Sequence, residues 1–145
     1  MRTLTDHIVE GDSANHQLTI SVLDEPGQGG ANHEYSIRLY SKFEAGVKVD
    51  LHKLRDVEVL PDGSVTGEVC RVSFQNGPIK EFGVNGVTQE ALLAIVIDRL
   101  RSFQSGPFAC EDNAAALLHC IRAKDHLQAR TKARIARGVE GTHVK

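Results

Sequence analysis

A chain of 145 residues, 41% hydrophobic and 25% charged, is the size of one ordinary domain or two small modules and has a globular composition. No apolar run approaches the ~20 residues of a membrane span, and the N-terminal "MRTLTDHIVEGD" lacks an apolar signal core. Residues 1–85 carry a net charge of −5 and residues 86–145 a net of +3. Long nucleic acid would ask for a more basic chain, so a small anion is the better fit. The three cysteines, Cys70, Cys110 and Cys120, form no CxxC pair, and reduced thiols in a cytosol are expected.

The first half alternates with period two. "HQLTISV" (16–22), "HEYSIRLY" (33–40), "VKVDL" (47–51), "DVEVL" (56–60), "EVCRVSF" (68–74) and "IKEFGV" (79–84) read as strands with one face on a core. "PDG" (61–63) is turn chemistry. Asn76-Gly77 predicts a hairpin between the last two strands, with Pro78 at an edge. The Gly-rich "DEPGQGGANH" (24–33) is either a mobile connection or an anion cradle built from backbone N–H groups.

From residue 87 the period changes. Thr88 can cap a helix and Glu90 suits its first turn. "QEALLAIVIDRLRSFQ" (89–104) is apolar on nearly every side, which predicts burial all round, with a second helix and a second chain as partners. "SGP" (105–107) ends it. A second helix follows over about 110–137, with Cys110, Ala114, Leu117, Leu118 and Ile121 on one stripe and Gly138 as its stop. The expected fold class is α+β. An N-terminal antiparallel β-sheet or sandwich (1–86) precedes a C-terminal antiparallel helical hairpin (87–145) with a basic ligand-binding end.

That basic end is "RTKARIARGVEGTH" (130–143). On a helix Arg130, Arg134 and Arg137 stand at i, i+4, i+7, within about 60° of one another, while Lys132 points elsewhere. Arginine forks suit phosphate oxygens in bidentate geometry. The alternative is a solvated face whose cations favour the helix C-terminus.

"FQNGPIKEFGVNGVTQEALLAIVIDRLRSFQSGPFACEDNAAALLH", followed by "LQARTKARIARGVEGTH", resembles the phage anti-Thoeris (Tad) signal sponges. Their helical hairpin is shared with the shorter anti-CBASS (Acb) cyclic-oligonucleotide sponges. The resemblance covers about residues 86–143, and "DEPGQGGANHEY" with the acidic strand-rich half suggests the longer Tad form. Where the family pattern has Trp-Leu, this chain has His126-Leu127.

The resemblance implies a phage protein that is not an enzyme and holds no cofactor or metal. It would bind and sequester bacterial immune signals in the cytoplasm of the infected host, inhibiting Thoeris and, through the shared hairpin, CBASS. The partners implied are cyclic ADP-ribose isomers and cyclic di- or trinucleotides, with no long nucleic acid and no membrane. The residues implied for the ADP-ribose ligand are Phe103 for the adenine, Asn113 for a base or ribose edge, and Arg130 for the diphosphate. Cyclic oligonucleotides would use Arg134, Arg137 and the run Gly138, Val139, Glu140, Gly141 and Thr142, with Glu140 orienting an arginine. A homodimer at least, up to a hexamer built as a trimer of dimers, is implied.

Helix arithmetic supports sharing between chains. Asn113 and Arg130 are 17 residues apart, about 25 Å on one helix, and a pocket for a small ligand is much narrower. The enzyme alternative is a cyclic-nucleotide hydrolase. It would have to use the seven histidines (His7, His16, His33, His52, His119, His126, His143), of which His119 and His126 share a helix with Asp125. No HExxH, HD or CxxC pattern completes a site among them. An oligomeric phage structural or interaction protein is the second alternative. A binder of short nucleic acids ranks last, because 5% aromatic residues leave few stacking platforms.

Overall fold

The computed structural model describes residues 1–42 and 48–145 and divides into two compact units, Met1–Ser73 and Phe74–Lys145. Residues 74–86 group with the helices in the second unit.

The first unit is a five-stranded antiparallel sheet of β1 (Arg2–Leu4), β2 (Leu18–Val22), β3 (Glu34–Ser41), β4 (Arg55–Val59) and β5 (Val65–Ser73), in the order β1-β2-β3-β5-β4. The alternation seen in the sequence is used directly. Leu18 pairs with Leu39, Ile20 with Ile37 and Val22 with Tyr35, so apolar residues oppose one another across the ladder. Among the described residues, Val22 and Val65 are the buried apolar residues of this unit.

The β4–β5 turn closes through Leu60 N–H to Ser64 O at 2.8 Å and Gly63 N–H to Leu60 O at 2.9 Å, with Asp62 accepting from the Ser64 backbone. Strand β4 is an edge and exposed along its length. A register break between Arg55 and Glu58, with Asp56 at φ +49, twists that edge out of regular pairing.

Glu68 is buried, and it accepts from the Ser36 hydroxyl at 2.7 Å and the Arg71 guanidinium at 3.1 Å. The Ser36 donation holds its carboxyl below the usual range against the cost of burial, and Arg71 adds to the lowering. The Gly-rich loop is closed on itself by hydrogen bonds. Gly27 N–H donates to Ala31 O and Gly30 N–H to Gly27 O, while the Asp24 carboxylate accepts from the His33 and Glu34 N–H groups. The anion in this loop is the chain's own.

Two expected strands are not strands. Of "VKVDL", Val47 lies outside the described residues; 48–50 are irregular, and Leu51–Lys53 is a 3-10 turn capped by Asp50. Residues 79–84 form the short helix α1 (Ile79–Phe82) followed by Gly83. Pro78 supplies a φ of −64 that suits a helix start. Ile79 and Phe82, at i and i+3, share one helical face but would point to opposite faces of a strand, where only Phe82 and Val84 keep the period of two. The hairpin expected at Asn76-Gly77 is replaced by a parallel bridge between Phe74 and Val87. Gln75, Asn76 and Asn85 staple it through four side-chain to backbone bonds of 2.7–2.9 Å.

The second unit continues with α2 (Gln89–Gln104) and α3 (Glu111–Ala136), packed as a hairpin. Thr88 accepts from Ala91 N–H at 3.1 Å, as its position predicts. On α3 the half-covered positions are 113, 117, 120, 121, 124, 127, 131 and 134, one stripe at helical spacing. The all-round burial expected for α2 is not met within the chain. Ile97 is 2% exposed, whereas Ile95 is 60% exposed. Among the described residues no helix is long and apolar enough to cross a membrane.

Candidate ligand-binding site on the helical hairpin

The turn between α2 and α3 is built by local hydrogen bonds. Gln104 Oε1 accepts from Cys110 N–H at 3.0 Å. Cys110 caps α3, its Sγ accepting from Asn113 N–H at 3.4 Å. Asn113 then reaches back to donate through Nδ2 to the carbonyl of Phe108 at 3.4 Å. Its amide oxygen makes no bond among the described residues, so Asn113 keeps an unused acceptor.

Phe103, on the last turn of α2, meets Phe108 edge to face, with ring centroids 6.4 Å apart and planes at 86°. One turn earlier, the Arg99 guanidinium carbon lies 5.6 Å from the Phe103 ring centroid, close enough for cation–π attraction. The structure therefore brings Phe103 and Asn113 to the same turn. It adds Arg99 and Phe108, which the sequence reading missed. The i, i+4 spacing of Arg99 and Phe103 could have signalled the first; nothing in the local pattern marked Phe108.

The arginine column is divided by its partners. Arg130 is exposed and makes no bond or ion pair among the described residues. It stands 17 residues from Asn113 on one unbroken helix, about 25 Å along the axis. Arg134 is spent inside the chain. It donates to Glu140 Oε2 at 3.1 Å and to the carbonyls of Val139 and Thr142 at 2.9 Å and of Val144 at 2.7 Å. Arg137 donates to Lys145 O at 2.7 Å.

Helix α3 ends with Gly138 at φ +70, where Gly138 N–H bonds Ile135 O and Val139 N–H bonds Arg134 O. That pair of bonds is the Schellman ending that a left-handed glycine permits. The run 139–144 then folds back. Thr142 N–H returns to Val139 O, Lys80 N–H donates to Gly141 O at 3.1 Å, and His143 Nδ1 lies 2.9 Å from Glu81 Oε1. Gly138, Val139, Glu140, Gly141 and Thr142 thus form a turn held from inside by Arg134. Glu140 orients that arginine.

Residues 66–120 match the Acb2/Tad1 hairpin domain, a span that contains Phe103, Phe108 and Asn113 and stops short of Arg130. Over 79 residues the chain is 48% identical to "Thoeris anti-defense 1" of Bacillus phage SBSphiJ7, covering 54% of this chain and 56% of that protein. The chain spans about half the length of the curated relative it matches.

Proposed function

We propose that this chain, which carries an Acb2/Tad1 hairpin domain, is a phage sponge. It binds cyclic nucleotide immune signals and sequesters them intact in the cytoplasm of the infected bacterium. The ligands are cyclic ADP-ribose isomers, cyclic di- or trinucleotides, or both, and the defences inhibited are Thoeris and CBASS. The carrying observation is the hairpin turn, which holds the Phe103 and Phe108 rings in contact and the half-free Asn113 carboxamide on the Phe108 carbonyl, while the exposed Arg130 sits about 25 Å from Asn113 along the same helix.

One chain cannot close a small-ligand pocket around all three groups. Two hairpins paired antiparallel place Arg130 of one chain beside the turn of its partner, and a two-fold axis makes two such pockets. The apolar face of α2 left open in the chain, Ile95 and Val96, gives that second copy a surface to cover. Dimers can then assemble up to a hexamer. Cyclic oligonucleotides take the other end, where Arg137 and the 138–142 turn lie and Arg134 sets the shape of the turn.

The test incubates pure protein with a panel of cyclic ADP-ribose isomers and cyclic oligonucleotides. It reads the thermal shift and then releases the ligand by heating. Saturation at 100 times Kd should add ~2.7 kcal/mol of stability, and the ligand should be recovered unchanged. Recovery of a hydrolysed product would make the protein an enzyme. No shift with any member would remove the sponge reading.

A further inference from the structure

Resting on the sponge reading above, we propose that Phe108 is a ligand-contacting residue, the second wall of an aromatic corner that accepts a purine. Phe108 is 72% exposed and Phe103 40% exposed. One exposed ring is ordinary, but two open rings in contact, on a turn ordered by hydrogen bonds, make a contiguous apolar patch of the kind that marks a binding surface. The two planes at 86° form an L-shaped recess. A flat base laid on one ring meets the other along its edge, and both offset stacking and edge contact are favoured arrangements of aromatic rings.

The Phe108 carbonyl also holds Asn113, so the residue that lines the recess fixes the carboxamide that would read the base. Arg99, over the Phe103 ring, adds a cation beside the recess for the phosphates of the same ligand. Purine nucleotides present a wide π-face, a hydrogen-bonding edge and a diphosphate or phosphodiester, and the corner offers a counterpart for each.

The experiment uses the full chain and the cyclic ADP-ribose isomer that shifts wild type most, measured by calorimetry. Phe108→Ala should weaken Kd by about tenfold or more, within the range expected for losing one base-stacking contact. Phe108→Leu, apolar but without a π-face, should be weakened similarly, while Phe108→Trp should restore binding. Sedimentation should give all three variants the wild-type mass.

Equal binding by Phe108→Ala and wild type overturns the assignment and leaves the sponge reading standing. Full binding by Phe108→Leu also overturns it, since apolar bulk would then suffice. Loss of mass in Phe108→Ala makes Phe108 an assembly residue and overturns it as well. A wild type that binds no member of the panel overturns both.

Discussion

Glu68 shows what one buried carboxylate asks of its surroundings. It keeps its charge inside the sheet unit because the Ser36 hydroxyl donates to it, with Arg71 assisting. Its folded pKa is lowered, so the unfolded chain binds its proton more readily. The stability it contributes is fully present above the ordinary glutamate range and is lost as pH falls through the lowered folded value. Urea titrations should show the wild type losing stability over that acid window. Glu68→Gln should flatten the loss; an unchanged acid limb would assign it to Asp12, Asp24 and Asp62, whose carboxyls are lowered too. Ser36→Ala leaves the buried charge without its donor and should cost about 1–3 kcal/mol. Gly86 is constrained by space rather than by charge. A Cβ there would stand 2.4 Å from the Phe74 carbonyl carbon, and since that atom is backbone, relief requires the chain to move. Gly86→Ala should lower stability by about 1–3 kcal/mol, read by chemical denaturation.

At the scale of elements, the tail after α3 is the part most dependent on one side chain. Arg134 ties together Val139, Glu140, Thr142 and Val144, with its side chain only 16% exposed. Truncating it leaves three carbonyls without that donor. Arg134→Ala should speed amide exchange over residues 138–144 by about tenfold or more, the factor that corresponds to ~1.4 kcal/mol. Exchange in the body of α3 should stay as in wild type. Arg130→Ala serves as the control, because Arg130 makes no hydrogen bond or ion pair among the described residues. Faster exchange along all of α3 in the Arg134 variant would show a helix defect instead of a released turn. If the proposed oligonucleotide site lies at this turn, Arg134→Ala should weaken that binding by misplacing the turn and spare the ADP-ribose ligand, as the thermal-shift panel would show.

For the whole molecule the decisive quantity is how many chains make one pocket. Among the described residues the helical unit buries one large apolar residue, Ile97, and leaves Ile95, Val96 and Leu118 open, too little for a stable two-helix unit standing alone. A mixture of Phe103→Ala and Arg130→Ala chains, each inactive, tests the shared pocket. After random pairing half the dimers are mixed and one of the two pockets in each is intact, so about a quarter of the sites should regain binding. No recovery after demonstrated subunit exchange would mean that each chain binds alone.

The helices could be read without the structure because their signals are local: Thr88 at the start, a 3.6-residue period, a Gly-Pro break, and Gly138 at the end. The paired strands β2, β3, β4 and β5 were legible from their alternation, but alternation alone did not make a strand of "VKVDL", whose described residues run irregularly into the 3-10 turn capped by Asp50. Residues 79–84 were not, because Phe82 and Val84 keep the strand period while Ile79 and Phe82 keep the helical one, and Pro78, with its φ of −64, starts a helical turn. Strand β1 was missed, being only three residues long and defined by its neighbour. The chemistry of the arginines was legible as a column, but its division was not. Whether a guanidinium faces solvent or is spent on carbonyls five to ten residues away depends on where the chain turns back after Gly138. The Phe103–Phe108 corner arises the same way: each ring is an ordinary aromatic in the sequence, and folding the turn sets their planes at right angles.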